Sequence, residues 1–276
     1  MFHRLKALLS ASWIAIGLQA SPAAAAVDVF WIPIAAGTTW SFLESGSWSD
    51  SQGGSGSYGP SRTDIQFSPI DYQILGHRAS LLTSNGWYLM ETPNGYYKVA
   101  DKGDPNNNQA YRYFTDPEPF MTRDVRAVGV DLHTSGLRRG QWDVPGGGFE
   151  AWSGTWSSTY TNLGPEAVTT PLGTFTAAKL RVVSLDTIDS RALHPNARST
   201  NSWTEYWWFV ENLGIVKVVG SGIDETDIDG NGTVDRWLRE QQTLIAIPVP
   251  EPQAAWMLLV GLVCLAGFKS RRPHRS

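Results

Sequence analysis

Two Asn-Gly dipeptides, Asn85-Gly86 and Asn94-Gly95, constrain this chain more than any other local feature. Both central residues of a type I′ turn need positive φ, which Asn and Gly tolerate, so each pair predicts a tight hairpin. The flanking runs, Ala79–Thr83, Trp87–Met90 and Tyr96–Val99, are short and rich in aliphatic and aromatic side chains. Strand and turn alternating at that spacing make an antiparallel meander.

The pattern recurs along the chain. Thr38–Ser45 sets Trp40 and Phe42 on one face and Ser41 on the other. Further strands are predicted at Phe149–Tyr160, Thr174–Leu185, Trp203–Val210, Ile215–Val219 and Trp237–Ile245. Trp203–Val210 carries bulky groups on both faces, which predicts a strand covered on two sides. Asn212-Leu213-Gly214 turns it into the next strand. Residues 44–63, rich in Ser and Gly, and Asp101–Pro119, polar and Pro-containing, predict long loops. Phe120–Gly148 gives no clear period, and 27–249 contains no helix-length amphipathic stretch. The expected fold is all-β: one large curved antiparallel sheet, a half-open barrel or a sandwich, in a single domain over 27–249.

Both ends carry addresses. Arg4 and Lys6 precede an apolar stretch, Ala7–Leu18, then Ser21-Pro22 and Ala23–Ala26. A basic start, a short apolar middle and a small-residue exit describe a secretory signal peptide over 1–26, cleaved after Ala26. At the other end Pro250-Glu251-Pro252 precedes an uncharged run, Ala254–Phe268, and then Lys269, Arg271, Arg272 and Arg275. The prolines cannot lie inside a helix, so a helix begins after them. Its fifteen residues extend about 22 Å, short of a bilayer core unless the membrane thins and the basic side chains snorkel. The basic cluster favours a cytoplasmic C-terminus, which leaves the domain facing outward.

This tail, 250–276, resembles the PEP-CTERM sorting signal of Gram-negative bacteria. The resemblance implies export through the Sec machinery, an inner-membrane-anchored intermediate, and cleavage near Pro250-Glu251-Pro252 by an exosortase-type membrane protease. It further implies a destination in the periplasm, on the outer surface or in the extracellular matrix, in company with exopolysaccharide. Trp31-Ile32-Pro33 through Trp40, Pro171–Phe175, and Tyr206-Trp207 through Lys217 also resemble exported bacterial β-domains of uncharacterised role.

Charge and composition exclude several functions. The whole chain has a formal net charge of −4, and the domain between the two addresses is more acidic, at about −9. Nucleic acid is not an expected partner, and the membrane contact runs through the C-terminal helix. The only cysteine, Cys264, sits in that helix, so the domain folds without disulfides and has no thiol chemistry. Gly54, Gly56 and Gly59 have dinucleotide-loop spacing but neither the preceding buried strand nor the following helix. His77, His133 and His194 stand apart from one another, which argues against zinc.

One motif carries chemistry. Asp227, Asp229 and Asn231 alternate, Gly230 and Gly232 supply turns, and Asp235 closes the run, with Thr233 offering its carbonyl. A hard cation takes six to eight oxygens, and alternate side chains converge only where glycine permits a sharp bend. The run resembles an EF-hand-type calcium loop, although Leu238 stands where that loop has a bidentate Glu. Calcium is expected as a structural ion that pins the connection before the last strand; the competing reading is a metal-free Asx-rich loop.

The expected function is therefore structural or adhesive, at the surface or in the matrix, and not enzymatic. A polysaccharide- or lipid-binding module is the first alternative, with Trp142, Trp152 and Trp156 as candidate stacking surfaces. A secreted hydrolase is the second; it would draw two carboxylates from Asp124, Asp131, Asp143, Glu150, Asp186, Asp189 and Glu205.

Overall fold

A computed structural model of the chain describes residues 38–83, 86–101, 111–122, 125, 127–143, 148–211 and 213–248. The signal peptide with Ala26, the Pro250-Glu251-Pro252 motif, the tail helix and its basic cluster lie outside the described residues.

Thirteen strands form one antiparallel sheet: β1 (Thr39–Asp50), β2 (Ser55–Ile74), β3 (His77–Leu82), β4 (Trp87–Thr92), β5 (Gly95–Asp101), β6 (Tyr111–Thr122), β7 (Asp131–Asp143), β8 (Phe149–Thr170), β9 (Gly173–Ile188), β10 (Ser190–Arg191), β11 (Arg198–Val210), β12 (Gly214–Asp227) and β13 (Arg236–Ile247). Apart from the two-residue β10, which lies on the edge of β8, each strand bonds to its neighbours in the chain. β13 returns to β1, with Ser41 opposite Ile247 and Asp50 opposite Leu238, and β8 pairs with β9. The result is a closed 12-stranded up-and-down barrel rather than the half-open sheet or sandwich expected. Closure removes the exposed edges that an open sheet this size would leave.

The short hairpins form close to the Asn-Gly pairs but are not centred on them: Leu82 pairs with Trp87, and Thr92 pairs with Gly95, so Pro93 and Asn94 make the second turn and Gly95, at φ 132°, opens β5. The expected loop over 44–63 is instead a hairpin: β1 runs to Asp50, β2 starts at Ser55, and Asp50 Oδ1 accepts the Gln52 and Gly54 amides in the turn. Its glycines serve large neighbours. A Cβ on Gly46 would overlap the Tyr58 phenol, and one on Gly56 would crowd the Trp48 indole. The second expected loop also gives way in part, because Tyr111–Thr122 is β6.

Strand period fixes what faces inward. Along β8 the even positions Glu150, Trp152, Trp156, Ser158 and Tyr160 are buried, and the odd positions Ala151, Ser153, Thr155 and Ser157 are exposed. The outward faces of β7 and β8 are thus mostly Ser, Thr and charge, without the apolar band of a membrane-spanning barrel. Eight strands enclose just enough room for side chains, so twelve leave a lumen. It is narrowed by edge-on aromatics: Phe120 lies 5.3 Å from both Trp87 and Trp207, and Trp40 lies 5.5 Å from Phe67, between ring centroids. Phe67, Leu82, Leu89, Leu180 and Phe209 pack into the same cluster. In a second cluster Val168 and Ala177, from the far end of the β8–β9 hairpin, join Phe42, Trp208, Val216 and Ala246.

Candidate functional site

Above these aromatics the lumen holds a cavity of about 890 Å³, within the usual size range of ligand sites. Side chains from β4 to β9 and from β11 to β13 line it, and along β9, β11 and β13 the lining grades from polar toward the mouth to apolar at depth. On β11 the lumen face runs Ser199, Asn201, Trp203, Glu205, Trp207 and then buried Phe209. On β9 it runs Asp186, Ser184, Val182 and Leu180, and on β13 Glu240, Gln242 and Leu244. Two glycines on β12 make room: a Cβ on Gly222 would fall within the Trp203 ring, and one on Gly220 would sit 3.3 Å from Glu205 Cγ. Trp203 and Glu205 therefore lie across the neighbouring strand.

One wall is a network of ion pairs. Lys98 meets Glu118 at 2.5 Å, Arg112 meets Asp101 at 2.7 Å, and Arg138 meets Asp186 at 2.6 Å. Ser158 Oγ donates to Glu118 at 2.9 Å, and Lys98 Nζ lies 4.9 Å above the Trp87 ring. Burial alone would push Lys98 down, but Glu118, followed by Asp186 and Asp101, outweighs it and raises its pKa. Glu205 faces this wall, with Trp207 Nε1–H donating to it at 3.2 Å. Burial pushes its carboxyl above the ordinary value, and the Glu118 charge adds to that shift, against the pull of Lys98 and the Trp207 hydrogen bond. In all, the described lining carries four basic side chains (Lys98, Arg112, Arg138, Arg191) against seven acidic ones (Asp101, Glu118, Asp186, Glu205, Asp224, Glu225, Glu240). A polyanion has no welcome there; a neutral, hydroxyl-rich molecule has donors, acceptors and flat rings to meet.

Two loops shape the rim. Segment 189–197 lies over β8 as a strap, held by the Asp189 amide to Ser153 O and the Ala192 amide to Ala151 O. Beneath it Glu150 is fully buried. Its Oε2 accepts from Arg191 Nη2 at 2.7 Å and Trp142 Nε1 at 2.8 Å, and its Oε1 accepts the Leu193 and His194 amides at 3.0 Å each. Burial would raise this carboxyl, but Arg191, Trp142, His194 and the Leu193 amide overcome it and hold the pKa far below the usual range. Arg191 also lies 4.8 Å above the Trp142 ring, which stacks on Trp152 at 5.7 Å.

The second loop is the predicted calcium run. Asp227, Asp229 and Asp235 bring carboxylate oxygens to within 4.8 Å of one another. The Asp227 oxygens accept the Gly230 and Gly232 amides at 2.7 and 2.8 Å, Asn231 Oδ1 accepts the Thr233 amide at 2.7 Å, and Asp235 Oδ2 accepts the Ile228 amide at 2.7 Å. Desolvation alone would raise it, but the Gly232, Gly230 and Asn231 amides together outweigh that and hold Asp227 below its ordinary pKa. Each bonded oxygen keeps a second lone pair, so the donor set fits a hard cation. Gly230 abuts the Asn196 backbone, so loop and strap touch at the rim.

The other sequence candidates scatter. Trp142 and Trp152 border the cavity, whereas Trp156 is buried and not part of its lining, its indole donating to Asp116 O at 3.2 Å. Asp186 and Glu205 line the lumen, while Asp131 binds Thr161 Oγ1 at 2.5 Å and Asp189 binds Thr187 Oγ1 at 2.8 Å. Asp143 is exposed, and Asp124 lies outside the described residues. Lys98, Glu118, Arg112 and Arg138 were missed; their one signal is a charge placed on the apolar side of a strand.

No family model matches the chain, and no curated protein matches it. Among solved structures, the hypothetical lipoprotein YmcC from Escherichia coli is similar over 81% of this chain and 88% of its own, at 13% identity and a TM-score of 0.34. A chain described as a lipoprotein from Parabacteroides distasonis is similar over 80% of this chain and 97% of its own, at 15% identity and a TM-score of 0.26.

Proposed function

We propose that this chain is an exported barrel that works at the cell surface or in the extracellular matrix by holding a neutral saccharide in its lumen. That binding would be its structural or adhesive link to exopolysaccharide. The observation that carries the reading is the cavity of about 890 Å³ in which Trp203, laid across Gly222, stands among hydrogen-bonding side chains, while Trp142 and Trp152 stack on each other in the wall. Flat indoles cover the apolar faces of sugar rings, and the surrounding amides and carboxylates take the hydroxyls. In this reading the PEP-CTERM-like tail delivers the domain through an exosortase-type protease, and calcium at Asp227, Asp229, Asn231, Thr233 and Asp235 stiffens the rim.

The test is calorimetric titration of the purified protein with maltohexaose, cellohexaose, xylohexaose and N-acetylchitohexaose, with oligogalacturonate as the anionic comparison. A neutral oligomer should bind saturably and the uronate should not. Trp203→Ala should weaken binding about tenfold, the equivalent of one lost aromatic contact of about 1.4 kcal/mol. Preference for the uronate, or silence from the whole panel, would sink the reading. Delivery is tested separately: Pro250→Ala with Pro252→Ala should abolish processing, and normal localisation of that variant would remove the sorting claim.

Glu205 supports a second reading, hydrolysis. A carboxyl whose pKa burial raises is suited to act as a general acid toward a glycosidic oxygen. New reducing ends released from a bound oligomer, and lost in Glu205→Gln, would favour it.

A further inference from the structure

The lumen continues below the saccharide chamber. Trp87, Phe120, Glu205, Trp207 and Gln242 border both the wide cavity and a deeper one of about 200 Å³. These shared residues form a neck. The deep chamber is walled by Phe42, Ile65, Phe67, Leu82, Val218 and Leu244. Its polar side chains are already satisfied: Glu44 accepts from Thr63 Oγ1 at 2.5 Å and from Gln242 Nε2 at 2.8 Å. What it offers a visitor is hydrocarbon surface. Packed protein interiors keep few voids larger than a water molecule, so a chamber this size is not ordinary core packing. An apolar cavity of about 150 Å³ stays dry and takes up a benzene, so this one has room for a group of about six carbons.

We infer that the deep chamber receives an apolar substituent of the saccharide held above it, so that the ligand is an amphiphile, a sugar bearing an alkyl or aryl group of about six carbons. The inference rests on the saccharide reading of the wide cavity. Two observations carry it: the border that the two chambers share at Trp87, Phe120, Glu205, Trp207 and Gln242, and the polar-to-apolar grading along β9, β11 and β13. A free sugar leaves the deep chamber empty, and a free fatty chain leaves the ion-paired wall without a partner. A molecule with both parts, oriented sugar outward, matches the whole length of the lumen.

The experiment is titration calorimetry of the purified protein with glucosides, galactosides and N-acetylglucosaminides, each as the methyl, butyl, hexyl, octyl and decyl compound below its micellar concentration. Affinity for one head group should rise about fourfold per methylene, the effect of burying each in a dry site, and level off near six carbons. Val218→Trp and the milder Val218→Phe should abolish the gain from hexyl while leaving the methyl glycoside bound as in the parent, which also reports intact folding. Methyl glycosides binding with no gain from longer chains would overturn this inference and leave the saccharide reading standing. Affinity that climbs steadily through decyl, or a hexyl gain that survives both Val218 variants, would overturn it as well. Hexanol binding as tightly as the hexyl glycosides would instead overturn the saccharide reading, and no binding by any compound would overturn both.

Discussion

Glu150 should hold the rim strap, and removing its charge should free the strap without opening the barrel. In Glu150→Gln one amide oxygen remains to accept, while the new NH₂ must face either Arg191 and Trp142 or the amides of Leu193 and His194. Donor then meets donor on one side, and a guanidinium with 17% exposure loses its carboxylate. Removing one partner of a buried ion pair costs about 3–5 kcal/mol, and the site lies under a single segment at the molecule's edge, so the lower figure applies. About 3 kcal/mol spent locally is a roughly hundredfold rise in opening. Hydrogen exchange followed by mass spectrometry reads this directly: a peptide covering 189–197 should exchange about a hundredfold faster in the variant, with β11 and β12 unchanged. The parent should also show a pH signature. Because Glu150 has a lowered pKa, its contribution is fully present above the ordinary glutamate value of about 4.3 and fades as pH falls toward the lower folded value. In Glu150→Gln that acid limb should vanish. A strap that exchanges at the parent's rate, or strands that accelerate together with it, would refute the reasoning.

Three further outcomes follow from the geometry. Glu205 has a raised pKa, so the parent should lose stability as pH climbs from about 4.3 through the raised value, and Glu205→Gln should escape that loss; urea midpoints at pH 4 and 8 check this, and a parent–variant difference identical at both would contradict it. Gly222→Ala drives a methyl into the Trp203 ring and should cost about 1–3 kcal/mol in chemical denaturation, more than Gly220→Ala, whose new methyl meets the flexible Glu205 side chain. Calcium at about a hundredfold excess over its Kd should raise the melting temperature of chelator-treated protein by roughly 5–10 °C, and Asp227→Ala with Asp229→Ala should erase the shift; equal shifts in parent and variant would place the ion elsewhere.

What the sequence disclosed is what its chemistry decides locally. The hairpins around β4 form near the Asn-Gly pairs because short connections are settled locally, but the expected type I′ turn does not appear at the second. Thr92 pairs with Gly95, so Pro93 and Asn94 make the turn, and Pro holds φ negative where type I′ needs it positive. The acidic loop is legible for the same reason, being a run of nine residues whose side chains and amides bond within the run. The Ser- and Gly-rich stretch misled because propensity argues against a strand there, while Tyr58 and Trp48 require small residues opposite them. The lumen was illegible for a different reason. Period 2 tells which side chains share a face, but not that the shared face encloses a solvated space. Asp186 lies on the same face of β9 as Leu180 and Val182, and only closure makes that face polar at one end and apolar at the other. Closure itself joins Glu44 to Gln242, 198 residues apart, a pairing for which nothing local votes.

That single long-range seam has a kinetic consequence. Every other pairing in the ring joins strands that are neighbours in the chain, so a growing meander can zip up strand by strand as it is made or threaded. β1 cannot finish; its outer edge waits for β13, the last strand to arrive. During that wait the half-made barrel is an open sheet with two bare edges, the state in which copies of a protein stitch to one another. The second half of the waiting strand carries Ser45, Gly46, Ser47 and Ser49, poor recruits for a stranger's strand, with Trp48 among them, while Trp40 and Phe42 lie in its first half. The residues that looked least like a strand are the ones that keep the first strand solitary until its proper partner comes.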